Sequence, residues 1–227
     1  MVKIWINPFI LFFVGVLTIW GAYRNPDIII VGENHTDIYD HKKQLEVIKD
    51  LSKTEKIIIA MEMFQQPFQK YLDEYIDGKL SEEQLIEKTE YKRRWGHSFE
   101  FYRDILRFAK ENKIKIVALN IPTELLKEIR EKGLENIKSP YIPQGKFDYL
   151  PSEIQFIKEA LEGHKLKDEK VFFNIQKAWD IGMAYKIVKI KKEYPDYKVI
   201  VLIGKGHQEA VSRFIKTIDK SLEVSVY

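Results

Sequence analysis

Two short patterns in this chain carry residues able to do chemistry: Gly32-Glu33-Asn34-His35 and Gly204-Lys205-Gly206-His207. Each follows a run of Ile and Val, and each presents an imidazole three positions after a glycine. Two further apolar runs break off in the same way, one at Glu62 and one at Asn120. Two His with one or two carboxylates form a sufficient ligand set for zinc or another divalent metal, and three protein ligands with one open position is the catalytic arrangement. On that chemistry His35, Glu62 and His207 are the expected metal ligands, with zinc or manganese as the metal. Glu33 is placed to act as general base toward a metal-bound water. Backbone extended through Glu33 and His35 puts both side chains on one side. Glycine at these strand ends is expected to supply a tight or left-handed turn.

The elements that must position these residues follow from periodicity. Runs rich in Ile and Val within residues 27–35, 56–63, 114–122 and 198–207 have the character of strands buried on both faces of a parallel sheet. Helix-length amphipathic stretches separate them, at 38–51, 67–77, 82–89, 98–112, 123–132, 151–162, 174–193 and 207–218. Residues 222–226 alternate and read as an edge strand. The expected fold class is therefore α/β, a mostly parallel central sheet flanked by helices. In such sheets ligands bind outside the carboxyl edge, where Glu33, His35, Glu62, Asn120 and His207 would meet. Ile38, Leu45 and Ile48 mark the expected apolar stripe of the first helix, with Asp37 as its cap. On the helix at 174–193, Gln176, Trp179, Asp180 and Met183 share one side, and its polar members are expected to support the same crevice. His41 and His164 have neighbours typical of exposed positions and are expected to take no part.

The first 24 residues are of another kind. Ile4 to Tyr23 holds no charge, and twenty residues at about 1.5 Å each span about 30 Å, the hydrocarbon thickness of a bilayer. Trp5, Trp20 and Tyr23 flank it as interfacial aromatics do. A transmembrane anchor is expected there, with a signal peptide as the alternative, followed by one domain over residues 25–227. Lys3 before the span favours a domain on the extracytoplasmic side. Of 37 basic residues, Lys3 and Arg24 precede that domain, leaving 35 against 34 acids, so nucleic acid is excluded as a partner. The chain has no cysteine, which excludes disulfides, thiolate metal sites and attachment of lipid through Cys. Walker A, G-x-G-x-x-G and G-x-S-x-G motifs are also absent.

Taken in order, six segments resemble the ChaN-like family of haem-binding lipoproteins and the wider group of erythromycin esterases, TraB proteins and Tiki metalloproteases. They are Val31-Gly32-Glu33-Asn34-His35, Met61 to Gln69, Arg94-Trp95 with Phe99 and Tyr102, Ala118 to Pro122, Gln176-x-x-Trp179-Asp180-x-x-Met183-Ala184, and Gly204-x-Gly206-His207. The resemblance implies an α/β domain that handles haem or iron at a bacterial cell envelope, and it is compatible with a homodimer. From the Tiki relatives it implies a divalent metal at His35, Glu62 and His207. From the esterases it implies acid/base roles for Glu33 and His35. The missing lipidated cysteine departs from the ChaN-like pattern, and Ile4 to Tyr23 would then replace the lipid anchor.

Two readings remain open: a membrane-tethered haem or iron binder, and a divalent-metal hydrolase. Haem iron takes His, Met, Cys or Tyr. Tyr141 and Tyr149, on a proline-bearing aromatic loop at 138–151, are the expected haem ligands. Arg93 and Arg94 are the expected partners of the propionates. Haem is thus expected outside the crevice and any divalent metal within it.

Overall fold

In the computed structural model, residues 25–164 and 168–227 are described, without the side chains of 160–164; the expected N-terminal anchor lies outside them. Strands β1 (Ile28–Glu33), β2 (Ile57–Gln65), β3 (Lys115–Asn120), β4 (Lys198–Gly204) and β5 (Val224–Val226) form one sheet in the order β3-β2-β4-β1-β5. All pairings are parallel, so the carboxyl ends share one edge. The helices are α1 (Ile38–Ser52), α2 (Gln69–Ile76), α3 (Glu82–Lys88), α4 (Tyr91–Arg94), α5 (Glu100–Glu111), α6 (Thr123–Lys132), α7 (Pro151–His164), α8 (Glu169–Glu193) and α9 (Gln208–Ile218).

Strand side chains alternate between two cores, as the period of two requires. Ile28, Ile30, Ile58, Val117, Val199 and Val201 pack against α6, α8 and α9. Ile29, Val31, Ile59, Met61, Ile116 and Ile200 pack against α1, α2 and α5. Each fully buried Ile or Val contributes about 1.5–3 kcal/mol, which explains the continuous apolar runs: both faces are dry.

The expected stripe of α1 holds at Ile48, which is buried, and at Leu45, which packs partly buried against the same core, but not at Ile38, which is 53% exposed; His41 and Gln44 are buried in addition. Asp37 does cap the helix, accepting from the Tyr39 amide at 2.8 Å, but a polar pair then takes the inward face. The reason is a buried carboxylate, Glu33, that needs donors.

The glycine argument is also corrected. Gly32 lies inside β1 and Gly204 has φ −59, so neither supplies a left-handed turn. Close approach is the reason for both. A Cβ on Gly204 would sit 2.9 Å from Cε1 of His35, and one on Gly32 would run into the Gln208 side chain.

Candidate functional site

Strand register brings the carboxyl edge together. Glu33 pairs with Gly204, and Gln65 with Asn120. Between Met61 and Gln65 the ladder slips, an irregularity of the kind that re-aims side chains. Glu62 falls in that slip. Its Oε2 accepts the Gly204 amide at 2.7 Å, which ties β2 to the end of β4.

Two imidazoles stand on either side of Gly204, each held by a carboxylate. His35 Nδ1 donates to Glu33 Oε1 at 2.9 Å. Glu33 is 1% exposed and also accepts from Tyr102 Oη at 2.5 Å and Gln44 Nε2 at 2.9 Å. His41 Nδ1 approaches its other oxygen at 3.4 Å, an ion-pair contact longer than the hydrogen bonds. Burial would raise the Glu33 carboxyl, but the bonds from His35, His41 and Tyr102 outweigh it and hold the group at about 2.

On the far side, His207 Nδ1 donates to Asp180 Oδ1 at 2.6 Å, and Tyr149 Oη donates to Asp180 Oδ2 at 2.5 Å. His207 Nε2 faces Glu62 Oε1 at 3.6 Å. Burial would lower the imidazole, yet the charges of Asp180 and Glu62 push it up to about 9. Burial and the Asp180 charge push the Tyr149 phenol upward, so it stays protonated.

Above these pairs opens a cavity of about 780 Å³, within the range of sites for small molecules and cofactors. His35, Trp95 and His97 line one side, and Phe172, Ile175 and Trp179 of α8 line the other. Asn120 and Glu62 also line it. Gln176 and Trp179 face this cavity, as their helical spacing suggested, whereas Asp180 lies beneath His207 as its anchor. Asn120 Oδ1 and Trp179 Nε1 are buried and have no hydrogen-bond partner among the described residues. His97 rests on His35 at 4.7 Å and on Trp95 at 5.5 Å between ring centres. Burial, with a smaller effect from the nearby His35, lowers its pKa.

The expected crevice of Glu33, His35, Glu62, Asn120 and His207 is therefore assembled at one edge. Among the described residues, however, no three His, Asp or Glu side chains converge so as to hold a metal ion. His35 Nδ1, Glu62 Oε2 and His207 Nδ1 are held by Glu33, the Gly204 amide and Asp180. The four residues expected to hold haem do not gather at one place. Tyr149 gives its hydroxyl to Asp180, and Tyr141 packs half-buried at the margin of the core. Arg93 is an exposed partner of Glu90. Arg94 does enter the crevice, but its guanidinium already donates to Glu90 at 2.7 Å, Glu124 at 2.9 Å and Gln65 at 2.8 Å.

Sequence reasoning missed His41, Gln44 and Tyr102 as partners of Glu33. The signal that could have found the first two is the i, i+3, i+7 spacing of His41, Gln44 and Ile48. The side chain of His164 lies outside the described residues.

The family of haem-binding uptake proteins of the Tiki superfamily that includes ChaN matches residues 19–212. A solved structure described as cofacial haem binding to ChaN of Campylobacter jejuni superposes with a TM-score of 0.71 at 20% identity, covering 88% of this chain and 80% of that one. At that identity the likeness is one of fold. An erythromycin esterase, EreC, in its open conformation gives a TM-score of 0.46 at 14% identity, covering 79% of this chain and 60% of that one, and adds nothing to the assignment. No curated protein matches the sequence. Because the family match runs from residue 19 to residue 212, through every strand of the sheet but the last, the chain belongs to the ChaN family of haem-binding uptake proteins in the Tiki superfamily.

Proposed function

We propose that this protein binds haem in the crevice at the carboxyl edge, at a cell envelope, with Ile4 to Tyr23 as its membrane tether and the domain on the extracytoplasmic side. The observation that carries the reading is the lining of the crevice in a chain of this family. A haem needs apolar walls, a donor to iron and cations for its carboxylates. Trp95, Phe172, Ile175 and Trp179 offer walls, His97 offers imidazole nitrogens, and Arg130 offers a cation. Trp179 Nε1 is a further donor suited to a carboxylate oxygen. Bound haem would supply the chemistry of its iron. The chain's own groups would orient the macrocycle and exclude water from one of its faces.

Support for the tether is the charge-free run of Ile4 to Tyr23; among the described residues no helix is long and apolar enough to cross a membrane. Ferric haem titrated into the full chain in detergent tests the main reading. A saturable Soret shift near one haem per chain is expected, and a shift no different from haem in detergent alone would refute it. Intact mass of the protein extracted from its native membrane tests the tether, which fails if a soluble chain begins near residue 22 to 27. A homodimer belongs to the same proposal, and sedimentation with and without haem checks it; a monomer in both states would remove it.

A further inference from the structure

We infer that the amino edge of the sheet is the face turned to the membrane, and that a cleft of lysines and tyrosines on it takes the phosphate of an anionic lipid headgroup, so that the carboxyl-edge crevice opens away from the bilayer. The inference builds on the tether proposed for Ile4 to Tyr23.

The chain enters the domain at this edge. The Asp27 amide donates to the Glu223 carbonyl at 2.9 Å, Lys198 Nζ donates to the Pro26 carbonyl at 2.8 Å, and Lys191 pairs with Asp27 at 3.1 Å. Four residues lead from Tyr23 to Asp27, and at about 3.5 Å each they reach at most about 14 Å. A tether ending at Tyr23 therefore holds the start of β1 near the headgroups, and with it the loops that open the neighbouring strands. The potential of an anionic leaflet acts over about a Debye length, about 8 Å at physiological salt.

The cleft, of about 340 Å³, lies where the loops before β2, β3 and β4 meet, and Lys56, Asn112, Lys113, Tyr194 and Tyr197 line it. Tyrosine and lysine settle together at headgroup level because each joins an apolar body to a polar tip. The Lys56 ammonium stands 5.9 Å from the centre of the Tyr197 ring and has no ion pair among the described residues. Lys113 is exposed and gives the Ile76 carbonyl one bond at 2.8 Å, which leaves two of its three donors. Lys115 and Glu55 also line the cleft, but Asp73 holds the first at 3.0 Å, and the second accepts from Asn25 at 3.3 Å.

Charge favours the same occupant. Lysines in the last turns of α1, α5, α8 and α9 answer the helix dipoles. Lys56 and Lys220 lie in loops beyond those turns, where no dipole requires a cation. The exposed acids of this edge without an ion pair are Glu111, Glu193 and Asp196; against them stand Lys49, Lys56, Lys113, Lys189 and Lys220, equally exposed and equally unpaired among the described residues. In a nearly neutral domain this excess is local to the edge.

Because the chain has no cysteine, one nitroxide can be attached at Ser221→Cys on this edge or at Thr36→Cys on the opposite one, both exposed positions. The full chain is reconstituted in vesicles of phosphatidylcholine alone and of phosphatidylcholine with phosphatidylglycerol, each doped with a nickel-chelating lipid. With phosphatidylglycerol, nickel should relax the label at 221 strongly and the label at 36 hardly at all. Lys56→Gln with Lys113→Gln, folded by circular dichroism, should weaken docking at least about fivefold, the factor one lysine contributes beside such a surface. Salt at about 1 M should do the same to the unsubstituted face, since the Debye length falls to about 3 Å. A stronger effect at 36 than at 221 overturns the inference, as does an effect at 221 indifferent to phosphatidylglycerol and to the two substitutions. Dipolar broadening between labels at 221 would put a second copy on this face and overturn it too. A chain that floats with vesicles in high salt yet shows no nickel effect at 221 keeps the tether and loses this face. A chain that leaves the vesicles in high salt but docks through 221 on anionic ones in low salt loses the tether and keeps the face.

Discussion

Replacing Glu33 by Gln keeps the size of the side chain and removes its charge from a site that is 1% exposed. The carboxyl sits at about 2, against an ordinary value of 4.5. That difference of about 2.5 units corresponds to about 3 kcal/mol of folding free energy, taking 1.36 kcal/mol per unit. Because the folded value is the lower one, the contribution is complete above pH 4.5 and is lost as pH falls toward 2. His41 works in the opposite sense. Burial would lower it, but the Glu33 carboxylate raises it, so its share is complete below its ordinary 6.5 and is lost as pH rises through its folded value. The two effects overlap most fully between those limits. Urea unfolding of wild type and Glu33→Gln near pH 5.5 should therefore differ by about 3 kcal/mol, or about 6–12 °C in Tm for a domain of this size. The gap should close by about 1.4 kcal/mol per pH unit once pH falls well below 4.5. A gap that stays constant down to about pH 3 would show that amide packing, not charge, is responsible. No gap at about pH 5.5 would show that the donors around Glu33 do not stabilise its ionised form, and the reasoning would fail.

Three further outcomes are expected. Asp180→Asn should move the His207 titration, followed by NMR, downward from about 9 by at least about one unit; wild type should meanwhile lose the stabilisation of this pair as pH rises from 6.5 through about 9, and an unmoved midpoint in the variant would contradict the geometry. Gly182→Ala places a Cβ 2.3 Å from Ile121 Cγ2, an overpacking that should cost about 1–3 kcal/mol in chemical denaturation, and a neutral effect would mean that Ile121 repacks freely. Asp37→Ala removes the α1 cap and should cost about 1 kcal/mol by the same assay; a loss below about 0.3 kcal/mol would show that water replaces the cap.

Elementary periodicity was enough to read the architecture from the chain. Runs such as Ile28 to Val31 and Val199 to Ile203 can be buried on both faces only in a parallel sheet covered by helices, and parallel strands must end at one edge. That is why Glu33, His35, Glu62, Asn120 and His207 could be placed together before any coordinates. The Gln176, Trp179, Asp180 face of α8 was legible for a similar reason, since i, i+3 and i+4 neighbours share a side. What side chains do once they meet is a different question, because it depends on distances across elements far apart in the chain. Tyr102 lies 69 positions from Glu33, yet its hydroxyl shares that carboxylate with His35. The same holds for His207, whose Nδ1 is anchored by Asp180, 27 positions away. Likewise nothing local marks Tyr149 as a buried partner of Asp180, since its loop carries only prolines and aromatics. Residue types and their order along the chain set which groups arrive at the carboxyl edge; tertiary packing alone decided which lone pairs remain free there, because a hydrogen bond is won by whichever donor the fold brings within about 3 Å.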